Sequence, residues 1–105
     1  MQLLDEEYFA LTFALGEELV FQLDSAEVLE RNRTGVGFFT TVQLNQPFSK
    51  INKEKRYWER NFEHKKLPYG GCFMVSLVTS NQLEIEAVAF EGSWPEPYER
   101  DEFIG

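Results

Sequence analysis

The runs "CFMVSLVT" and "QLEIEAVAF", residues 72–79 and 82–90, are separated only by Ser80-Asn81. Two apolar, β-branched and aromatic runs joined by two small polar residues predict a β-hairpin. No other stretch constrains the fold as much. The first run is apolar on both faces, as expected of a central strand. In the second, Leu83, Ile85, Ala87 and Ala89 face one way, and Glu84 and Glu86 the other. A hairpin with one dry face needs another layer to cover it.

The amino-terminal stretch supplies that layer. Leu4, Tyr8, Leu11 and Leu15 recur at helical spacing, and Phe9 and Phe13 widen the apolar face. Asp5 is placed to cap the helix, with Glu6 and Glu7 in its favourable first turn. The pattern predicts helix over residues 5–22, in one piece or broken at Gly16. Val28 and Leu29 suit a short strand. Thr34–Gly37 reads as a turn or a bulged crossing. Phe38–Leu44 reads as a strand with Phe38, Thr40, Val42 and Leu44 on one face, ended by Pro47. Ser49–Arg56 reads as a loop. Tyr57–His64 fits either an edge strand guarded by its charges or a short helix. "LPYGG" carries a turn signal. Gly92-Ser93, Pro95 and Pro97 stop further pairing. Residues 97–105 form an acidic tail, either mobile or pinned by Trp94 and Tyr98. The 105 residues suffice for one domain with one core. The expected fold is α+β: an antiparallel sheet of four to five strands with an N-terminal helix packed on one face.

Charge is segregated along the chain. Residues 1–30 carry eight acids and no Lys or Arg; residues 31–70 carry nine Lys or Arg against three Glu; residues 71–105 carry seven acids against Arg100. Two arrangements follow. Acidic ends flank the basic middle and pair with it, or the acids converge on one docking face. The net charge of -8 disfavours nucleic acid and favours a basic partner. A single cysteine, Cys72, allows no intrachain disulfide. No basic-then-apolar leader opens the chain, and no apolar stretch is long enough for a bilayer. A soluble cytoplasmic protein without membrane partners is expected.

Catalytic chemistry finds little to use. His64 is the one histidine; in "FEHKK" it reads as a surface residue whose pKa the following lysines lower. Cys72 opens an apolar strand and reads as a small buried hydrophobe. Glu84 and Glu86 read as ordinary acids on a wet strand face. "TGVGFF" lacks both the third glycine of a dinucleotide fingerprint and the lysine of a P-loop. "KINKEKR" with Tyr57 and Trp58 reads as a solvated loop that balances the acidic ends, rather than a nucleic-acid arm. No catalytic residue, metal ligand or cofactor is assigned.

The segments "RNRTGVGFFTTVQL" and "LPYGGCFMVSLVTSNQLEIEAVAFEGSWPE" resemble a group of small bacterial proteins with a Gly-x-Gly-Phe-Phe segment and a closing Trp-Pro. The matching residues are Gly35, Gly37, Phe38, Phe39, Gly71, Leu83, Glu84, Phe90, Trp94 and Pro95, within residues 30–96. In composition the chain is also similar to immunity proteins of bacterial toxin systems, which are often small, acidic and non-catalytic. That resemblance implies a basic protein partner, such as a ribonuclease toxin. The expected partner-binding set is Glu84, Glu86, Glu91, Trp94, Glu96, Tyr98, Glu99, Asp101 and Glu102, with aromatic rings as anchors and carboxylates steering. The alternative is a small-ligand or accessory domain with a pocket between helix and sheet, lined by Phe38, Phe73 and Trp94.

Overall fold

The computed structural model describes residues 1–16, 23, 25–48 and 56–105. Helix α1 spans Asp5–Leu15. The chain is still extended at Leu4, so Leu4 and not Asp5 takes the capping position. Leucine has no side-chain acceptor. Glu7 compensates by reaching back: its Oε1 accepts the Leu4 N–H at 2.7 Å. Asp5 is exposed in the first turn, where its charge still suits the helix dipole. Gly16 closes the helix, donating its N–H to the Thr12 carbonyl at 2.8 Å. The helical expectation for residues 17–22 lies outside the described residues, as does the loop expectation for 49–55.

Six strands follow: β1 Glu27–Arg33, β2 Gly37–Gln43, β3 Tyr57–His64, β4 Leu67–Thr79, β5 Gln82–Ala89 and β6 Phe103–Ile104. They form one antiparallel sheet in the order β1-β2-β5-β4-β3-β6, curled around the helix that packs against it. The fold is α+β as expected, but with six strands rather than four to five. The sixth is β6, a two-residue strand that pairs Glu63 with Ile104 and His64 with Phe103. Two residues carry no periodicity, so only tertiary pairing reveals such a strand.

The β4–β5 hairpin forms around Ser80-Asn81, with Thr79 opposite Gln82. β4 is central, flanked by β5 and β3. β3 is a strand and not a helix. "LPYGG" is not the turn: the chain reverses at Lys65-Lys66, and Leu67 already pairs with His64. Pro68, Tyr69 and Gly70 form a bulge in β4 before Gly71 pairs with Phe62. Gly70 has φ +66°, and a Cβ there would collide with the Phe62 carbonyl. The turn-like composition therefore serves a bulge.

The core is aromatic. Phe73, fully buried on β4, meets Phe9 and Phe13 of α1 at 5.6 and 5.9 Å between ring centroids. It also meets Phe62 at 4.9 Å, Trp94 at 5.8 Å and Phe103 at 5.9 Å. Each such ring contributes about 1.5–3 kcal/mol by burial. The segments "TGVGFF" and "GSWPE" touch here. The Trp94 N–H donates to the Gly35 carbonyl at 2.8 Å, and its ring stands edge-on to Phe38 at 5.6 Å. Gly37 is required because a Cβ would run into the Ala87 carbonyl of β5. Glycine and tryptophan thus serve one packing junction.

Candidate binding face

Strand alternation divides the sheet's side chains between a face toward the helix and a face away from it. Register gives the helix-side row Arg31–Thr40–Ile85–Val75–Trp58 and, one step on, Arg33–Phe38–Ala87–Phe73–Arg60. The outer rows read Glu30–Thr41–Glu84–Ser76–Tyr57 and Asn32–Phe39–Glu86–Met74–Glu59. Glu27 and Glu63 occupy further outer positions, opposite Gln43 and Ile104. The strands therefore send Glu27, Glu30, Glu59, Glu63, Glu84 and Glu86 outward. They send Arg31, Arg33 and Arg60 inward. Charge is sorted by sign across the sheet.

The inward arginines are held by the helix. Glu7 is 1% exposed. Its Oε2 accepts from Arg31 Nε at 2.7 Å and from Thr40 Oγ1 at 2.6 Å, and its Oε1 accepts from Arg31 Nη2 at 2.7 Å. Burial alone would raise the Glu7 carboxyl; Arg31, the Leu4 N–H and Thr40 outweigh it and hold it below its ordinary range. The Arg31 guanidinium is held above its own by the same pairing. Glu6 pairs with Arg33 and accepts the Trp94 indole N–H at 3.2 Å. Arg60 lies over the Phe13 ring at 3.9 Å and donates to the Phe13 carbonyl at 3.1 Å. On this side Glu7 and Glu6 of the acidic amino end meet Arg31 and Arg33 of the basic middle.

On the outer face no Lys or Arg of the described strands answers the glutamates. Their field is felt by two neighbours. Tyr57 is pushed up by partial burial and then by Glu59, whose Oε2 accepts its hydroxyl at 3.2 Å, with Glu86 adding to it. Cys72, buried at an outer position between Asn61 and Val88, is pushed up by burial and by Glu59 and Glu86. A thiol held protonated is a poor nucleophile.

The residues expected to bind a partner fall in separate places. Glu84 and Glu86 sit at the centre of the outer face, half-buried between β2 and β4. Glu91 is exposed in the bend after β5. Trp94 is 5% exposed and belongs to the core. Glu96 and Tyr98 line an open cleft of about 740 Å³ at the start of α1, with Leu4, Asp5, Glu6, Arg33 and Pro97. Glu99 and Asp101 are exposed, and Glu102 lies 3.3 Å from the Lys66 ammonium. Glu27, Glu30, Glu59 and Glu63 complete the outer face and were not singled out by sequence. The alternation Tyr57, Glu59, Asn61, Glu63 was the available signal, masked by the helix alternative for that segment.

Trp94 stands edge-on to both Phe38 and Phe73, the three residues expected to line a ligand pocket between helix and sheet. His64 is 5% exposed rather than a surface residue. It pairs with Phe103 across β3 and β6 and stands edge-on to that ring at 4.6 Å. Among the described residues, no three His, Cys, Asp or Glu side chains gather closely enough to hold a metal ion, and no helix is long and apolar enough to cross a membrane. Comparison with family models, curated proteins and solved structures finds no match to this chain.

Proposed function

We propose that this chain is an acidic, non-catalytic protein-binding inhibitor: a bacterial cytoplasmic immunity protein that neutralises a basic toxin such as a ribonuclease. The observation that supports it is the sorting of strand charges, with six glutamates outward and three arginines inward. A ribonuclease cleft is lined with cations because it holds phosphates. This sheet face presents carboxylates on a rigid lattice, about 7 Å apart along a strand and about 10 Å apart where one strand intervenes, as between Glu30 and Glu84 and between Glu86 and Glu59. Such a face substitutes for the phosphates and blocks the cleft. Because the glutamates are fixed by backbone register, the face needs little ordering on binding.

Co-expression with the product of the neighbouring gene tests the reading. A stable complex and protection of the host from that product are expected. Both fall when Glu59, Glu84 and Glu86 are changed together to Gln. A chain that neither binds nor protects overturns it.

A further inference from the structure

We propose that a cleft at one end of the outer face, framed by the exposed apolar side chains of Tyr69, Phe90 and Ile104, is the anchor of the binding face and takes an aromatic or aliphatic side chain of a basic protein partner. This rests on the inhibitor reading above and names where the binding energy of that face lies. The β4 bulge turns Tyr69 outward, leaving it 67% exposed; Phe90 is 53% and Ile104 50% exposed. These three, with Asn61, Phe62 and Glu63, line an open cleft of about 410 Å³. A second cleft of about 300 Å³ adjoins it and shares Glu63, Tyr69 and Ile104. Three large exposed apolar side chains around one concavity exceed the scattered surface hydrophobics of an ordinary monomer.

Charge selects the occupant. Among the described residues, Glu63 is the one charged side chain lining the larger cleft, and both Glu63 and Lys65 line the smaller. The outer positions of β3 lead from Glu63 through Asn61 to Glu59, which Met74 of β4 separates from Glu86. A second copy docking through this face would set Glu59, Glu63 and Glu86 against their counterparts. Nucleic acid and anionic membrane are repelled for the same reason. A protein surface with an apolar side chain flanked by Lys or Arg satisfies both parts: the ring cluster desolvates the anchor and the glutamates orient the cations.

Amide NMR titrations with two synthetic eight-residue peptides test this. One is lysine with two tryptophans, and the other has alanine in their place. Both are expected to shift Glu84 and Glu86 in a salt-dependent way. The tryptophan peptide alone is expected to shift Tyr69, Phe90 and Ile104, and to bind about tenfold tighter, which corresponds to about 1.4 kcal/mol. Changing Tyr69→Ser and Phe90→Ser together should remove that tenfold and leave the alanine peptide unaffected. Equal affinities, or a tryptophan peptide that leaves Phe90 unmoved, overturn the anchor and leave the acidic-face reading standing. Shifts at Phe90 without shifts at Glu84 and Glu86 support the anchor and overturn the acidic face. Concentration-dependent shifts at Phe90 in the peptide-free protein, with a dimer in sedimentation, assign the cleft to a second copy and overturn the proposal.

Discussion

Glu7 grips Arg31 with both carboxylate oxygens, each 2.7 Å from a guanidinium nitrogen, and ties helix α1 to the edge strand β1. The same carboxylate closes the helix start through Leu4 and takes the Thr40 hydroxyl. One acid thus joins the helix, β1 and β2.

Removing one partner leaves the other charge stranded. Arg31→Ala should cost about 3 kcal/mol in urea unfolding, because Glu7 stays buried without its counter-ion. Arg31→Lys should recover only part, since an ammonium cannot reproduce the two-pronged contact. The double change Glu7→Leu with Arg31→Met should cost less than Arg31→Ala alone. Equal losses would show that the pair is not coupled.

His64 should make the fold weaken as pH falls below neutrality. Its Nδ1 accepts the Lys66 N–H at 3.0 Å, so the neutral ring carries its proton on Nε2, which has no hydrogen-bond partner among the described residues. Burial holds its pKa below the ordinary 6.5; Glu102 opposes this and Lys66 reinforces it. The unfolded chain takes up the proton near pH 6.5, and the folded chain only at lower pH. Stability is therefore fully present above that range, declines as pH drops through it, and levels off below the folded pKa. Urea midpoints between pH 7.5 and pH 5 should fall for the natural protein and change less for His64→Leu. Parallel declines would assign the effect elsewhere.

Glu7 acts at more acid pH. Its folded pKa lies below 4.5, so its contribution is complete above that value and is lost as pH falls through the folded one. Glu7→Gln should be less stable at pH 7 and should lose less than the natural protein between pH 4.5 and pH 2. Thermal unfolding across that range measures the difference.

Trp94 should behave as a core residue with a polar tether. Trp94→Phe keeps a ring against Phe38 and Phe73 but strands the Glu6 oxygen that accepts the indole N–H, at a cost of about 1–2 kcal/mol. Trp94→Ala should cost about 3–5 kcal/mol through the cavity it leaves. A Trp94→Ala protein of natural stability would place the ring outside the core.

The outer glutamates should matter little for folding. Glu84→Gln with Glu86→Gln should shift unfolding by no more than about 0.5 kcal/mol, as for surface changes away from special features. The same protein should associate more slowly with a lysine-rich peptide, and with a weaker dependence on salt. Stopped-flow rates at two ionic strengths would show it; an unchanged salt dependence removes these residues from the face.

Much of this fold was legible in local pattern. The β4–β5 hairpin, the alternation of β2 and β5 and the apolar spacing of α1 each follow from a period of 2 or 3.6 within one segment. Gly16 closes α1, one of the two outcomes its place in the pattern allowed, whereas the close approach of Gly37 to the Ala87 carbonyl is visible only once β2 and β5 pair. Other features depend on segments distant in sequence. β6 exists only because His64 and Glu63 offer it an edge. "LPYGG" is a bulge only because Lys65-Lys66 had already reversed the chain, and His64 is buried only because Phe103 closes over it. The sign of the charge blocks was plain from composition, but their placement was not. Whether Arg31 faces Glu7 or Glu84 hangs on one residue of register, and a one-residue slip moves every side chain to the opposite face. Local periodicity therefore determined α1, β2, β4 and β5, but neither β6 nor the choice of strand over helix at β3. The packing of helix on sheet decided that, among the described strands, arginines turn inward and glutamates turn outward.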